Sequence, residues 1–277
     1  MRAAARRPNW RFAARRVFGE ALLERFPFSA FVSKTVTLAP RQGNPPPRLW
    51  ELPAGLLNSI GLPNKGLSRY LAEDLPQLAE LSVPLIVNVM GFSGEEVAEL
   101  VQAFASRPQV AALELNVSCP NVETGLVMGA DHASCPGCCT ACDRSRPAAD
   151  RQADAQRLRC RRGGPSGAGR RCQRTVSDQH RPGHGPAPAH EGPLAGRGTG
   201  GLSGPAVQAI ALAHVQAVAA VALPIVAMGG VGRGRDPAEL LSAGAELVAV
   251  GTESFRDPSA GLRIAAELAE ISLLGPR

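Results

Sequence analysis

Short, almost wholly apolar runs, each followed by one stretch of helical spacing, constrain this chain more than any other feature. Residues 85–90, 111–116, 225–228 and 247–250 are of this kind, and 31–38 is a fifth with a polar end. A strand apolar at nearly every position is buried on both faces, which points to parallel strands covered by helices. Helices are predicted over 67–81, 95–105, 205–221, 236–243 and 259–274. Ser93 is placed to cap the second of these, and Pro205 suits the first turn of the third. A chain of 277 residues is the usual size of one α/β barrel. A (β/α)8 TIM barrel is therefore expected, as a single domain over 1–277. The runner-up, a doubly wound sheet, lacks a G-x-G-x-x-G after its first strand.

The segment 131–199 breaks this pattern. Beyond alanine and cysteine its sizeable apolar residues are Leu158, Val176 and Leu194, so burial cannot offset its ordering entropy and disorder is expected. Six of the seven cysteines lie between Cys135 and Cys172. The C-x-x-C spacings at Cys135–Cys142 formally suit zinc, but adjacent Cys138 and Cys139 make a poor ligand set, and no metal is expected. The net charge of +6 invites a nucleic-acid reading. Yet Lys34 and Lys65 are the only lysines, and arginine excess with Ala, Gly and Pro is what a GC-rich gene gives, so no nucleic acid is expected. No run of about eighteen apolar residues exists, so no membrane span is expected. The arginine-rich opening has no serine and is broken early by Pro8, which reads as an abnormal start rather than an address.

Polar and glycine residues gather where the strands end: Asn88, Asn116 with Cys119, Gly229-Gly230 and Gly251-Thr252. In an α/β barrel that end carries the active site, and its last two loops commonly hold a phosphate on backbone amides. Gly200-Gly201-Leu202-Ser203-Gly204 precedes those loops and strengthens the phosphate reading. Lys34 reads as a fixed positive charge, or as a snorkelling surface lysine. Asn58 and Asn64 flank a loop and serve either as turn formers or as partners for a planar, imide-like ligand. Cys119, between Asn116 and Asn121, has the setting of a base or nucleophile, or of a small buried thiol in a turn.

Seven stretches, in order, resemble class 1 dihydroorotate dehydrogenases: SKTVTLAPRQGNPPPR from Ser33, AGLLNSIGLPNKG from Ala54, VNVMGFS from Val87, ELNVSCPNVETG from Glu114, GTGGLSGPA from Gly198, PIVAMGGV from Pro224 and AVGTESFRDP from Ala249. GNPPPR and NSIGL resemble the subclass that passes electrons to NAD+. The resemblance implies a cytoplasmic flavoenzyme that oxidises dihydroorotate to orotate with FMN in pyrimidine biosynthesis. It also implies homo-oligomers and an iron-sulfur/FAD partner subunit. Carried over, Cys119 is the base. Lys34, Asn58, Ser59, Ile60, Gly61, Leu62, Asn116 and Asn121 bind substrate. Lys34, Thr35, Asn88, Asn116, Gly204, Gly229, Gly230, Gly251 and Thr252 bind FMN.

Two departures stand out. Ala14-Arg15-Arg16-Val17-Phe18-Gly19 replaces the family's Ala-Ser-Gly-Thr-Phe-Gly flavin loop, and no lysine follows Lys65 to serve as the flavin lysine. GC-rich alanine and leucine codons read one base out of register give Arg, Cys, Pro, Gly and His, the composition of 131–199. Two compensating frameshifts are expected there and another near the start, leaving the first, fifth and sixth barrel strands missing. The competing readings are an inactive remnant of the enzyme and a Cys/Arg-rich zinc- or RNA-binding protein.

Overall fold

The structure is a computed structural model and describes residues 26–116, 200–220 and 223–274, with the backbone alone of strands at 4–6, 156–161, 171–177 and 181–183. The first half contains β1 (Ala4–Arg6), β2 (Ala30–Val32), the hairpin β3 (Leu49–Leu52) and β4 (Gly55–Asn58), β5 (Leu85–Val89) and β6 (Val110–Leu115). Its helices are α1 (Gly66–Arg69), a π-helical turn Tyr70–Asp74, α2 (Leu75–Leu78) and α3 (Gly94–Ala105). Then follow β7 (Gln156–Arg161), β8 (Arg171–Ser177), β9 (Arg181–Gly183) and β10 (Gly200–Ser203). A 3-10 turn, Pro205–Val207, leads into α4 (Gln208–Val218), and β11 (Ile225–Met228), α5 (Arg235–Ser242), β12 (Leu247–Val250), α6 (Glu253–Arg256) and α7 (Ala260–Leu274) complete the chain. The Ser93 hydroxyl accepts from the Glu96 amide at 3.2 Å, so the expected cap of α3 is formed.

The strand order β1-β12-β11-β8-β7-β6-β5-β2 closes on itself. Extended backbone at 4–6, 156–161 and 171–177 stands in this order at the positions of the first, fifth and sixth strands. β7, β8 and β9 lie within 131–199. These strands do not follow the parallel rule, however. β7 is antiparallel to both β6 and β8, whereas β8 is parallel to β11. Only residues 162–170 join β7 to β8, too few for the crossover that a parallel connection needs.

Alternation along the parallel strands divides the core. Leu85, Val87 and Val89 of β5 pack outward with Val97, Leu100 and Phe104 of α3 and with Tyr70, Leu75 and Leu78. Ile225, Ala227, Val248 and Val250 pack outward against Val215, Leu240 and Ile264. Inside the ring are Val32, Ile86 and Ala112 on one side, and Val226, Met228 and Ala249 on another. Asn88 and Glu114 continue the inward rows of β5 and β6. A second sheet, β3-β4-β10-β9, is antiparallel throughout.

Candidate active site

The ends of β2, β5 and β6 are laced together through the segment that carries Lys34. The Val36 amide donates to the Asn88 carbonyl at 2.8 Å, and the Met90 amide to the Val36 carbonyl at 2.9 Å. The Ser33 hydroxyl accepts from the Asn88 amide at 3.4 Å. Lys34 is thus held half-buried between buried Ser33 and Thr35, beside Asn88. The Asn116 amide donates to the Val89 carbonyl at 2.8 Å, which sets buried Asn116 at the same end. Cys119 and Asn121, a few residues further on, lie outside the described residues, as does the cysteine cluster at 135–142.

The substrate-loop candidates are held rigidly. Asn58 ends β4 rather than lying in a loop, and its Nδ2 donates to the Gly201 carbonyl at 3.1 Å. Ser59 is buried; its carbonyl and hydroxyl accept from Asn44 Nδ2 at 2.9 and 3.1 Å. The Asn44 amide donates to the Ile60 carbonyl at 3.0 Å, and Gly61 follows with φ of 74°. Leu62 packs on Met90, which fastens the loop to the end of β5. Asn64 is a structural turn residue: its Oδ1 accepts from the Thr37 and Gly66 amides at 3.3 and 2.9 Å, and its Nδ2 donates to the Leu62 carbonyl at 2.9 Å.

The glycine candidates separate into two kinds. A methyl group on Gly230 would lie 2.5 Å from Gln208 Cβ, and one on Gly229 would lie 2.8 Å from Ala211 Cβ. Both have positive φ, so these glycines are explained by the approach of α4 to β11. Gly251 differs: a methyl there would meet nothing within 4 Å, leaving open space above the end of β12. Thr252 Oγ1 donates to Ser203 Oγ at 2.9 Å, and Ser203 Oγ donates to the Leu56 carbonyl at 3.2 Å. Gly204, adjacent to Ser203, approaches Gly55 and Thr252, so β4, β10 and β12 converge beside that space.

Glu114 and Ser203 were not singled out from sequence. Glu114 is fully buried, and Asn88 Nδ2 donates to its Oε1. Its signal was available: one acid on the inward row of an otherwise apolar strand. Arg41 stacks over the Phe92 ring, 5.0 Å from its centroid. Among the described residues, no three His, Cys, Asp or Glu side chains group as metal ligands. Nor is any described helix long and apolar enough to cross a membrane.

Comparison with known proteins bears on this arrangement. The family model for dihydroorotate dehydrogenase matches residues 17–142 and 188–272 and lapses between them. The catalytic subunit of dihydroorotate dehydrogenase B (NAD(+)) from Pelobacter propionicus is 40% identical over 258 residues, covering 85% of this chain and 79% of that one. A Solibacter usitatus protein, provisionally named dihydroorotate dehydrogenase A (fumarate), is 39% identical over 271 residues, covering 90% and 83%. A crystal structure of DHODH from Eimeria tenella in complex with ferulenol superposes with a TM-score of 0.66 at 18% identity, over 97% of this chain and 80% of that one. That last likeness speaks for the fold alone, an α/β architecture built on parallel strands. On the family match and these identities, the chain belongs to the dihydroorotate dehydrogenase family, in its class 1, NAD+-linked branch.

Proposed function

We propose that the protein oxidises dihydroorotate to orotate in pyrimidine biosynthesis, with FMN as the bound cofactor. Membership of the family carries this reading, and the convergence of Asn88, Asn116, Lys34 and the Asn58–Leu62 loop at one end of the strands supports it. The described residues fit FMN at two places. The unfilled space at Gly251, beside Thr252 and Gly204, suits a phosphate. Asn88 Oδ1 is buried with no partner, as expected of an acceptor awaiting a ligand N–H. When bound, FMN supplies the hydride acceptor. Gly204, Gly229, Gly230, Gly251 and Thr252 would hold it at the phosphate end, and Lys34, Thr35, Asn88 and Asn116 nearer the ring. Asn58 to Leu62, Asn116 and Asn121 would orient the substrate, and Lys34 would balance its carboxylate. Cys119, as thiolate, would take the C5 proton.

Two observations bear on how well this chain retains FMN. The family match lapses over 143–187, and β7 within that gap runs against both its neighbours. With no lysine after Lys65 and no serine in 14–19, two flavin contacts of the family are missing, so weak retention is expected. Passage of electrons to NAD+ would need an iron-sulfur/FAD partner subunit, and we infer a cytoplasmic homo-oligomer. The test is anaerobic mixing of dihydroorotate with the FMN-reconstituted chain, and with a version whose middle segment is restored in frame. Flavin bleaching in the restored protein is expected, and Cys119→Ala should slow it about 10²–10⁴-fold with FMN still bound. Absence of bleaching in both proteins overturns the activity, and undiminished bleaching in the alanine variant removes Cys119 from it.

A further inference from the structure

Four buried side-chain polar atoms among the described residues lack a partner: Arg41 Nε, Tyr70 OH, His214 Nδ1 and Asn88 Oδ1. Of these, only Asn88 Oδ1 belongs to a residue on the inward row of a ring strand. Asn88 is 2% exposed and is directly paired in register with Glu114, which is 0% exposed. Asn88 Nδ2 donates to Glu114 Oε1. A carboxylate only accepts hydrogen bonds, so it discriminates between the two ends of an amide that are otherwise nearly alike in shape. Turning the amide over would set two acceptors against each other in a site closed to water. The orientation is therefore determined, and it leaves Oδ1 as a buried, unsatisfied acceptor.

We propose that Glu114 is a positioning residue. It locks the Asn88 amide so that Oδ1 accepts from the ring N–H of an imide- or lactam-type heterocycle. This rests on the oxidoreductase reading, in which two such rings occur, the pyrimidine end of the flavin and the dihydropyrimidine itself. Glu114 acts through Asn88, whose Nδ2 donates to its Oε1.

The test has an arm without ligand and an arm with it. In the full chain, one Asn88 Nδ2 proton should resonate well downfield in a spectrum of selectively labelled asparagine and exchange slowly. Glu114→Ala should abolish that signature, whereas near-isosteric Glu114→Gln, which retains an acceptor oxygen, should keep it in weakened form. An unchanged Asn88 signal in Glu114→Ala overturns the positioning role. With ligands, FMN is compared with 3-methyl-FMN, and orotate with its N-methyl derivatives. For the ring that Asn88 reads, methylation should weaken binding to the wild-type chain about tenfold. That preference should fall to within about twofold in Asn88→Leu and in Glu114→Ala, and should largely return in Glu114→Gln. Equal binding of parent and methylated forms of both ligands overturns the acceptor assignment and leaves the oxidoreductase reading standing. Failure of FMN and orotate to bind at all, with the Asn88 signature intact, counts against that reading and takes the assigned ligand with it.

Discussion

At the scale of single residues, Gly251 and Gly230 make opposite predictions although both end a strand. Gly251→Ala adds a methyl to open space at a φ that needs no glycine, so stability should change by less than about 0.5 kcal/mol. If the space takes a phosphate, FMN affinity should nonetheless fall about tenfold or more, measured by quenching of flavin fluorescence. Gly230→Ala drives its methyl to 2.5 Å from Gln208 Cβ at a φ of 74°, and should destabilise the fold by about 1–3 kcal/mol. A stable Gly230→Ala or a phosphate-indifferent Gly251→Ala would contradict this division. Glu73 offers a pH test. The Arg69 guanidinium and then the Lys65 ammonium lower its carboxyl from 4.5 to about 2. A depressed folded-state pKa stabilises the protein above the unfolded value and loses that contribution as pH falls towards 2. Acid titration of Glu73→Gln should therefore give a shallower loss of stability across that window. Because the group is exposed, added salt should erase most of the difference.

At the scale of elements, the α3 face provides the clearest stability probe. Phe104 is 2% exposed and meets Tyr70 edge-on, with ring centroids 5.8 Å apart. Phe104→Ala should cost about 3–5 kcal/mol in chemical denaturation; a loss under about 1 kcal/mol would mean that the cluster collapses to fill the gap. The parallel strands were legible in sequence because their period and burial are set locally. Ile225–Met228 and Leu247–Val250 appear as expected, and Leu85–Val89 and Val110–Leu115 within a residue or two. The expected helix at 67–81 instead opens into a π turn at Tyr70–Asp74 before resuming at Leu75. Pro76 is the cause: it donates no amide and its ring crowds the carbonyl four residues back. The expected strand at 31–38 ends at Val32, since Val36 makes only an isolated bridge to Val89. The sheet β3-β4-β10-β9 was not legible, because β3 is largely exposed and the partner of Asn58 lies far along the chain. For the site, the strand-end asparagines and glycines were visible as polar punctuation, but the need for Gly229 and Gly230 came from α4, a tertiary contact with no local trace.

At the scale of the whole molecule, the ring and the family match disagree over one segment. Residues 143–187 fall in the gap of the match, yet β7 and β8 close the ring from within it. Reading the DNA behind this segment in its other two frames should yield two apolar strands, one ending near a lysine and one near Asn-Thr. If neither frame contains them, the segment is a true insertion. The β3-β4-β10-β9 sheet adds a consequence for synthesis. Asn58 and Gly201 are 143 residues apart, and Ser203 meets Leu56 across 147. At ribosomal rates of about 5–20 residues per second, the β3–β4 hairpin waits on the order of ten seconds for β10 to emerge. Throughout that interval one edge of Gly55–Asn58 is unpaired, a template open to any other strand nearby. The nascent chain is thus most vulnerable to aggregation, and most in need of a chaperone, at the hairpin that later forms part of the proposed substrate site.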